Sequence, residues 1–266
     1  MKKTIVFISI IVSLLLILFL LLRYYNYKLF RPYQSEIDSL KSSQQNNQSD
    51  VKDLKKQLEE ETARLQNKID KVQPLDESEE QKVSDMLSRT FGFKVTPELE
   101  GKRLNRSYGL IGAEQHLSRF PGDTLSTHFD SEDERKSYWQ LGMAPGLGAW
   151  RYFTNSADSL TELDKDREKY YIAVQTFLSK DFNTRFAEYR DFYKYRKMLV
   201  VNPNNGRAIV ADIADAGPSE WTGKHLGGSP EVMHYLQRFD GRQRGPVLYF
   251  FIDEEDDKIP LGPIIL

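Results

Sequence analysis

The sequence predicts an α+β protein with an N-terminal transmembrane helix, a helical stalk, and then a helical region followed by a strand-rich domain. Three observations lead to this prediction: an uncharged apolar segment, a polar helix-prone segment after it, and β-branched and aromatic runs near the C-terminus. The predicted segments are a tail at 1–4, a transmembrane helix at 5–22, a stalk at 23–74, a helical region at 75–165 and a strand-rich domain at 166–266.

The first predicted element is the membrane anchor. Ile5 to Leu22 are 18 residues without a charge, enough to span roughly 27 Å as a helix. The residues that follow are aromatic, as is common at a membrane interface, and they contain no small-residue cleavage site. An uncleaved signal anchor is therefore favoured over a cleaved signal peptide. Basic residues flank both sides, but the short tail predicts a single-pass protein of the cell membrane whose C-terminal domain is extracytoplasmic.

The stalk carries a weak heptad pattern. One seven-residue register contains Ile37, Val51, Leu58, Leu65 and Val72. The second seam is mostly polar, so two interpretations stay open: a coiled coil that joins copies of the chain into a homo-oligomer, or a single solvated spacer helix.

Charge and composition exclude several classes of function. The chain has 37 basic and 39 acidic residues, whereas proteins that bind nucleic acids concentrate positive charge. It has no cysteine, which excludes disulfides, thiolate metal sites and cysteine nucleophiles. We therefore expect no nucleic-acid partner.

Local signals predict the elements of the C-terminal part. Ser229 followed by Pro230 is typical of a helix start, and Asn205-Gly206 suits a tight hairpin turn. The predicted helices run from Ser78 to about Arg89, from Ser131 onward and from Asp181 to Arg196, and the predicted strands cover 170–174, 198–202, 208–213 and 247–252. The apolar residues 260–266 must dock on their own domain or on a partner.

Residues 202–236 contain an ordered series of motifs: an N-x-x-N-G-R turn, a strand, D-x-G-P, and a serine-capped helix that ends in leucine. The matching positions are Asn202, Asn205, Gly206, Arg207, Val210, Asp215, Gly217, Pro218, Leu226, Ser229 and Leu236. This series resembles the double-psi β-barrel of the rare-lipoprotein-A and expansin-like superfamily. The resemblance implies a six-stranded double-psi barrel, covering about residues 170–252.

The resemblance also implies a role for Asp215. In members of that superfamily that cleave peptidoglycan, the D-x-G-P aspartate is a catalytic carboxyl that donates a proton to the leaving sugar and then accepts one from the attacking hydroxyl. A second interpretation stays open, in which Asp215 only caps the turn before Gly217 and Pro218. The sequence departs from the superfamily pattern at Gly227, where an aspartate is usual, and it has no histidine at 191–197.

Further candidate residues surround these motifs. Trp150 and Trp221 lie beside glycine-rich loops and could stack on sugar rings, although a tryptophan that plugs the barrel end fits as well; Arg207 and Lys224 are further candidate substrate-binding residues. The histidines His116, His128, His225 and His234 lack metal-ligand spacing. We therefore predict no metal site and no cofactor.

These observations predict a membrane-anchored cell-envelope protein that binds peptidoglycan strands and, if catalytic, cleaves them as a lytic transglycosylase. The alternative from a different class is a non-catalytic envelope scaffold, in which a degenerate barrel serves as a protein-interaction module.

Overall fold

The computed structural model describes residues 72–238 and 244–265. The predicted anchor at 5–22 and most of the stalk lie outside the described residues. Among those that are described, no helix is long and apolar enough to cross a membrane.

The described residues form six α-helices and ten β-strands. The helices are α1 (Glu77–Phe91), α2 (Leu125–His128), α3 (Glu132–Tyr138), α4 (Glu162–Lys169), α5 (Phe186–Tyr193) and α6 (Pro230–Leu236). The strands are β1 (Val95–Thr96), β2 (Glu98–Leu99), β3 (Lys102–Arg103), β4 (Tyr108–Ala113), β5 (Tyr171–Val174), β6 (Lys197–Val201), β7 (Ala208–Ala216), β8 (Leu226–Gly228), β9 (Arg244–Ile252) and β10 (Gly262–Ile264).

Six of these strands close into a barrel. Around the ring the order is β4, β9, β6, β7, β5, β8 and back to β4. Two of the pairs are parallel, β4 with β8 and β5 with β7, and the other four are antiparallel. The sequence prediction of a six-stranded barrel in an α+β protein is confirmed at this level.

The alternation of side chains along each strand divides the apolar residues between two cores. On β6, Met198 and Val200 point into the barrel, where α5 and α6 contribute further side chains. Leu199 and Val201 point outward into a second core that includes Val83 and Leu87 of α1. Because both faces of β6 are covered, the strand is apolar throughout.

The barrel begins earlier in the chain than the motifs suggest. Its first strand, β4, comes from residues 108–113, which the sequence prediction placed in a separate helical region at 75–165. Residues 114–170 then form an excursion between β4 and β5. The excursion packs Leu117 and Phe153 against Tyr171 and Ala214, and so covers the outer face of β5 and β7.

Short strands extend the barrel at two places. β1 pairs with β9, and β10 pairs with β7 in antiparallel register. The apolar C-terminal tail therefore docks on its own domain, and Tyr235 donates a hydrogen bond to the Ile264 carbonyl at 3.0 Å.

Two local predictions differ in extent from the observed elements. The helix predicted from Asp181 to Arg196 is shorter, Phe186–Tyr193, because Asp181 and Tyr195 adopt left-handed backbone angles that interrupt a helix. The first helix is capped by Asp76, whose side chain accepts from the Glu79 amide, rather than starting at Ser78.

Candidate functional site

The candidate site lies on the outer face of the barrel, on one row that crosses four strands. Asp215 on β7 is paired with Ala173 on β5, which is paired with Gly227 on β8. Gly227 is in turn paired with Gly112 on β4. The neighbouring residues Ile111, Ile172 and Leu226 belong to the core inside the barrel, so the row itself faces outward.

Two glycines in this row make room for charged side chains. A Cβ atom on Gly227 would lie 2.5 Å from Cγ of Glu114, and one on Gly112 would lie 2.7 Å from Cδ of Lys224. Both side chains therefore lie flat against the barrel over backbone that has no side chain of its own. The carboxyl group of Glu114 takes the space over Gly227 that a side chain at this position would occupy.

Glu114 and Lys224 form an ion pair over the row. Lys224 Nζ lies 3.1 Å from Glu114 Oε1 and donates to the Ala113 carbonyl at 2.7 Å. The backbone amide of Glu114 donates to the Gly228 carbonyl at 2.8 Å, which continues the pairing of β4 with β8 by one residue. Glu114 is thus fixed at both its backbone and its carboxylate.

Asp215 is held through one of its two oxygens. Oδ1 accepts hydrogen bonds from the amides of Ala149 at 2.6 Å and Ala216 at 2.8 Å. No described residue donates to Oδ2. The Ala149 bond ties Asp215 to the glycine-rich loop at 142–148, and the Ala216 bond is the local turn contact that a structural aspartate would make.

Both carboxyl groups are half-buried, and both have a raised pKa. Burial raises the pKa of Asp215, and the two amide hydrogen bonds offset the rise only in part. Burial likewise raises the pKa of Glu114; Lys224 opposes this rise, and the charge of Asp215 adds to it. The two groups therefore interact electrostatically, and pairs of this kind are common at sites of acid–base chemistry.

The other predicted site residues are distributed unevenly. Trp221 is 88% exposed in the loop that leads from Asp215 to Lys224. Trp150 is partly buried against the barrel, and its Nε1 donates to the Ile213 carbonyl at 2.9 Å.

Arg207 lies away from this group. It precedes the first residue of β7, whereas Asp215 is near the last, and it donates to the Tyr235 carbonyl at 2.8 Å. Arg207 therefore binds to the backbone of α6. A cleft of about 490 Å³ beside Arg167, Tyr195 and Lys197 also does not include Asp215.

A second polar cluster lies under the excursion. It contains His116, which follows β4, His128 at the end of α2, and Glu168 on α4, all of them buried. The sequence spacing predicted no metal site, but the fold brings these three residues together. Burial disfavours the charged form of His128, but hydrogen bonds to Asp123 and Glu168 outweigh it and raise the pKa of His128 to about 9.

No family model matches the sequence, and no curated protein matches it.

Glu114 is the site residue that the sequence did not indicate. It lies 101 positions before Asp215 and outside the motifs at 202–236. Only the closed barrel places the two residues on the same row. The available signal was an acidic residue directly after the apolar strand Tyr108–Ala113.

Proposed function

We propose that this domain binds the glycan strands of peptidoglycan and cleaves them as a lytic transglycosylase, with Asp215 as the acid and base. The observation that carries the proposal is the pair of half-buried carboxyl groups, Asp215 and Glu114, on one outward-facing row of the barrel, with the exposed Trp221 in the adjoining loop.

The barrel supports this proposal through its strand arrangement. A closed ring of six strands with two parallel pairs is compatible with a double-psi barrel, and we propose that the barrel is one and is related to the rare-lipoprotein-A and expansin-like proteins. In that case the carboxylate that the superfamily places at the position of Gly227 is supplied here by Glu114.

The proposed reaction uses one carboxyl group twice. Protonated Asp215 donates its proton to the glycosidic oxygen as the bond from the anomeric carbon to that oxygen breaks. The resulting carboxylate then accepts a proton from a hydroxyl of the same sugar, whose oxygen attacks the anomeric carbon. The product is an anhydro sugar, no water is consumed, and Asp215 ends protonated.

The surrounding residues have supporting roles in this proposal. A raised pKa keeps a larger fraction of Asp215 protonated when substrate arrives. Glu114 lies over Gly227 on the same row, as a hydrogen-bond acceptor for sugar hydroxyls that is held in place by Lys224. Trp221 offers a flat apolar surface on which a sugar ring can stack.

A second candidate function is a non-catalytic envelope scaffold. It is favoured by the two amide hydrogen bonds to Oδ1 of Asp215, because a carboxylate that only stabilises its turn would make the same contacts. In both functions we propose that residues 5–22 anchor the chain in the cell membrane with the barrel outside the cytoplasm. We also propose that the stalk joins copies of the chain.

The test is digestion of purified sacculi by the full-length chain in mild detergent. We expect soluble muropeptides from the wild type, and a loss of at least 100-fold in Asp215→Asn. The matched control is Asp133→Asn, which removes an exposed carboxylate on α3 and should leave release unchanged. Wild-type activity in Asp215→Asn would refute the catalytic role.

Binding is tested separately from cleavage. In a sacculus pull-down, Asp215→Asn should sediment with the glycan, and Trp221→Ala should sediment less. Phe186→Ala removes another exposed aromatic ring, on α5, and should sediment like the wild type. If the wild type stays in the supernatant, the scaffold function is the better account.

A further inference from the structure

The buried cluster beneath the excursion is built from three separate elements. His116 is fully buried, and His128 and Glu168 are 4% and 3% exposed. One potential ligand atom from each residue lies within 4.8 Å of the other two. Bringing three polar side chains this close in the interior is costly unless they share a proton or a ligand.

His116 lies beside a charged group, the carboxylate of Glu168. Neither of its ring nitrogens makes a hydrogen bond to a described residue, and Nδ1 lies 3.5 Å from Oε1 of Glu168. The ring is surrounded by other rings, with centroids at 4.7 Å for His128 and 5.3 Å for Phe129. Both nitrogens of this buried imidazole are therefore available to bind a ligand.

The surrounding hydrogen bonds orient the other two residues toward the same point. Asp123 Oδ2 lies 3.0 Å from Nδ1 of His128, which directs Nε2 of that ring at Glu168 Oε2, 2.9 Å away. Arg119 holds Asp123 through Nε at 2.9 Å, and the Leu117 amide holds Glu168 Oε1 at 2.9 Å. A histidine that binds a metal through one ring nitrogen usually donates a hydrogen bond from the other nitrogen to a carboxylate.

We propose that His116, His128 and Glu168 bind a divalent transition-metal ion, with Zn²⁺ the best match to the ligand set. Two imidazoles and one carboxylate suit Zn²⁺ better than Mg²⁺ or Ca²⁺, which prefer oxygen ligands alone. The ion takes the place of the proton between His128 and Glu168. Ligand atoms of a tetrahedral Zn²⁺ site lie about 3.3 Å apart, so the present 2.9 Å contact opens slightly.

Glu231 is the acidic residue nearest to the fourth position that the cavity offers. Glu231 lines the small cavity that His128 and Glu168 border, and its Oε2 is buried without a hydrogen bond to a described residue. Because Glu231 lies outside the group of three whose ligand atoms are within 4.8 Å of one another, it supplies the remaining position through a water molecule. Arg119 already neutralises Asp123, which leaves Glu168 and Glu231 to balance the charge of the ion.

The experiment uses the untagged full-length chain in detergent, because a polyhistidine tag would itself bind the metal. After treatment with a chelator, the chain is dialysed against Zn²⁺ and its metal content is measured. We expect one Zn²⁺ per chain and a higher melting temperature with the metal than without it. Asp123→Asn should weaken the affinity about 10- to 100-fold.

The decisive variant is His116→Phe, which keeps a ring in the cluster and removes both ring nitrogens. It should lose Zn²⁺ binding and the Zn²⁺-dependent rise in melting temperature. His234→Asn, which changes an exposed histidine on α6, should bind like the wild type. A wild type that binds no Zn²⁺, or a folded His116→Phe that binds it equally well, overturns the proposal.

A second probe decides the matter if His116→Phe does not fold. Co²⁺ added to the wild type should give the intense visible absorption of a four-coordinate ion, and Zn²⁺ should displace it. The weak spectrum of six-coordinate Co²⁺ would overturn the proposal, since it would leave the cluster as a buried network that shares protons only.

Discussion

Replacing Gly227 by alanine tests how Glu114 is held over the barrel. A Cβ atom at this position would lie 2.5 Å from Cγ and from Oε1 of Glu114, a separation that cannot be maintained. Glu114 would have to leave its contact with Lys224, now 3.1 Å away. Because a side chain rather than backbone has to move, we expect a loss of about 1–2 kcal/mol in the free energy of unfolding, in the lower part of the range for overpacking.

A double-mutant cycle in urea unfolding of the full-length chain measures the clash between Glu114 and the added methyl group. In a Glu114→Ala background the clash is gone, so Gly227→Ala should cost less than about 0.5 kcal/mol, a coupling of about 1 kcal/mol. Gly146→Ala is the matched control, because a Cβ there meets nothing within 4 Å; it should change stability by less than about 0.5 kcal/mol. An equal cost of Gly227→Ala in both backgrounds would refute the argument.

Three further predictions concern other buried or half-buried acids. Burial raises the pKa of Asp212 well above its ordinary value, with Arg167 Nε 3.8 Å away; the neutral form thus stabilises the fold at low pH, and this stability is lost as pH rises. The free energy of unfolding of Asp212→Asn, measured in urea, should therefore rise relative to that of the wild type by up to about 1.4 kcal/mol per pH unit between pH 5 and 8. A difference between the two proteins that does not change with pH would contradict this. Glu80→Ala removes the acceptor of the Ser107 hydroxyl, which now lies 2.7 Å from Oε1 of Glu80. The substitution should lower the free energy of unfolding by about 1–3 kcal/mol in the same assay. A loss no greater than that of Glu77→Ala, which changes an exposed residue, would contradict this. Muropeptide release should fall as pH rises through the pKa of Asp215, which burial raises, since only the protonated acid starts the reaction; release that increases over that range would contradict this.

The features that could be predicted from the sequence depend on local chemistry. Ser229 caps α6 by accepting from the Val232 amide, with Pro230 at the first helical position. Gly206 adopts the positive φ of 74° that the turn between β6 and β7 requires. These arrangements depend only on neighbouring residues. The motifs at 202–236 therefore predicted where the turn and the helix start lie, and also the position of Asp215.

The features that could not be predicted depend on distant residues. β4 contains Gly109 and Gly112, which weaken any strand signal, and the second of them is needed because Lys224 lies across it. Glu114 becomes a site residue only when β4 joins β8. The spacing of His116, His128 and Glu168 matches no linear metal motif, because the excursion folds back to bring them together.

We propose that Asp215 directs a hydroxyl of the sugar, rather than water, to the anomeric carbon. The most direct test is digestion of sacculi by the full-length chain in water enriched in ¹⁸O, followed by mass analysis of the released fragments. We expect new ends that lack the mass of one water molecule and carry no ¹⁸O. New ends that contain ¹⁸O, or the absence of any released fragment, would contradict it.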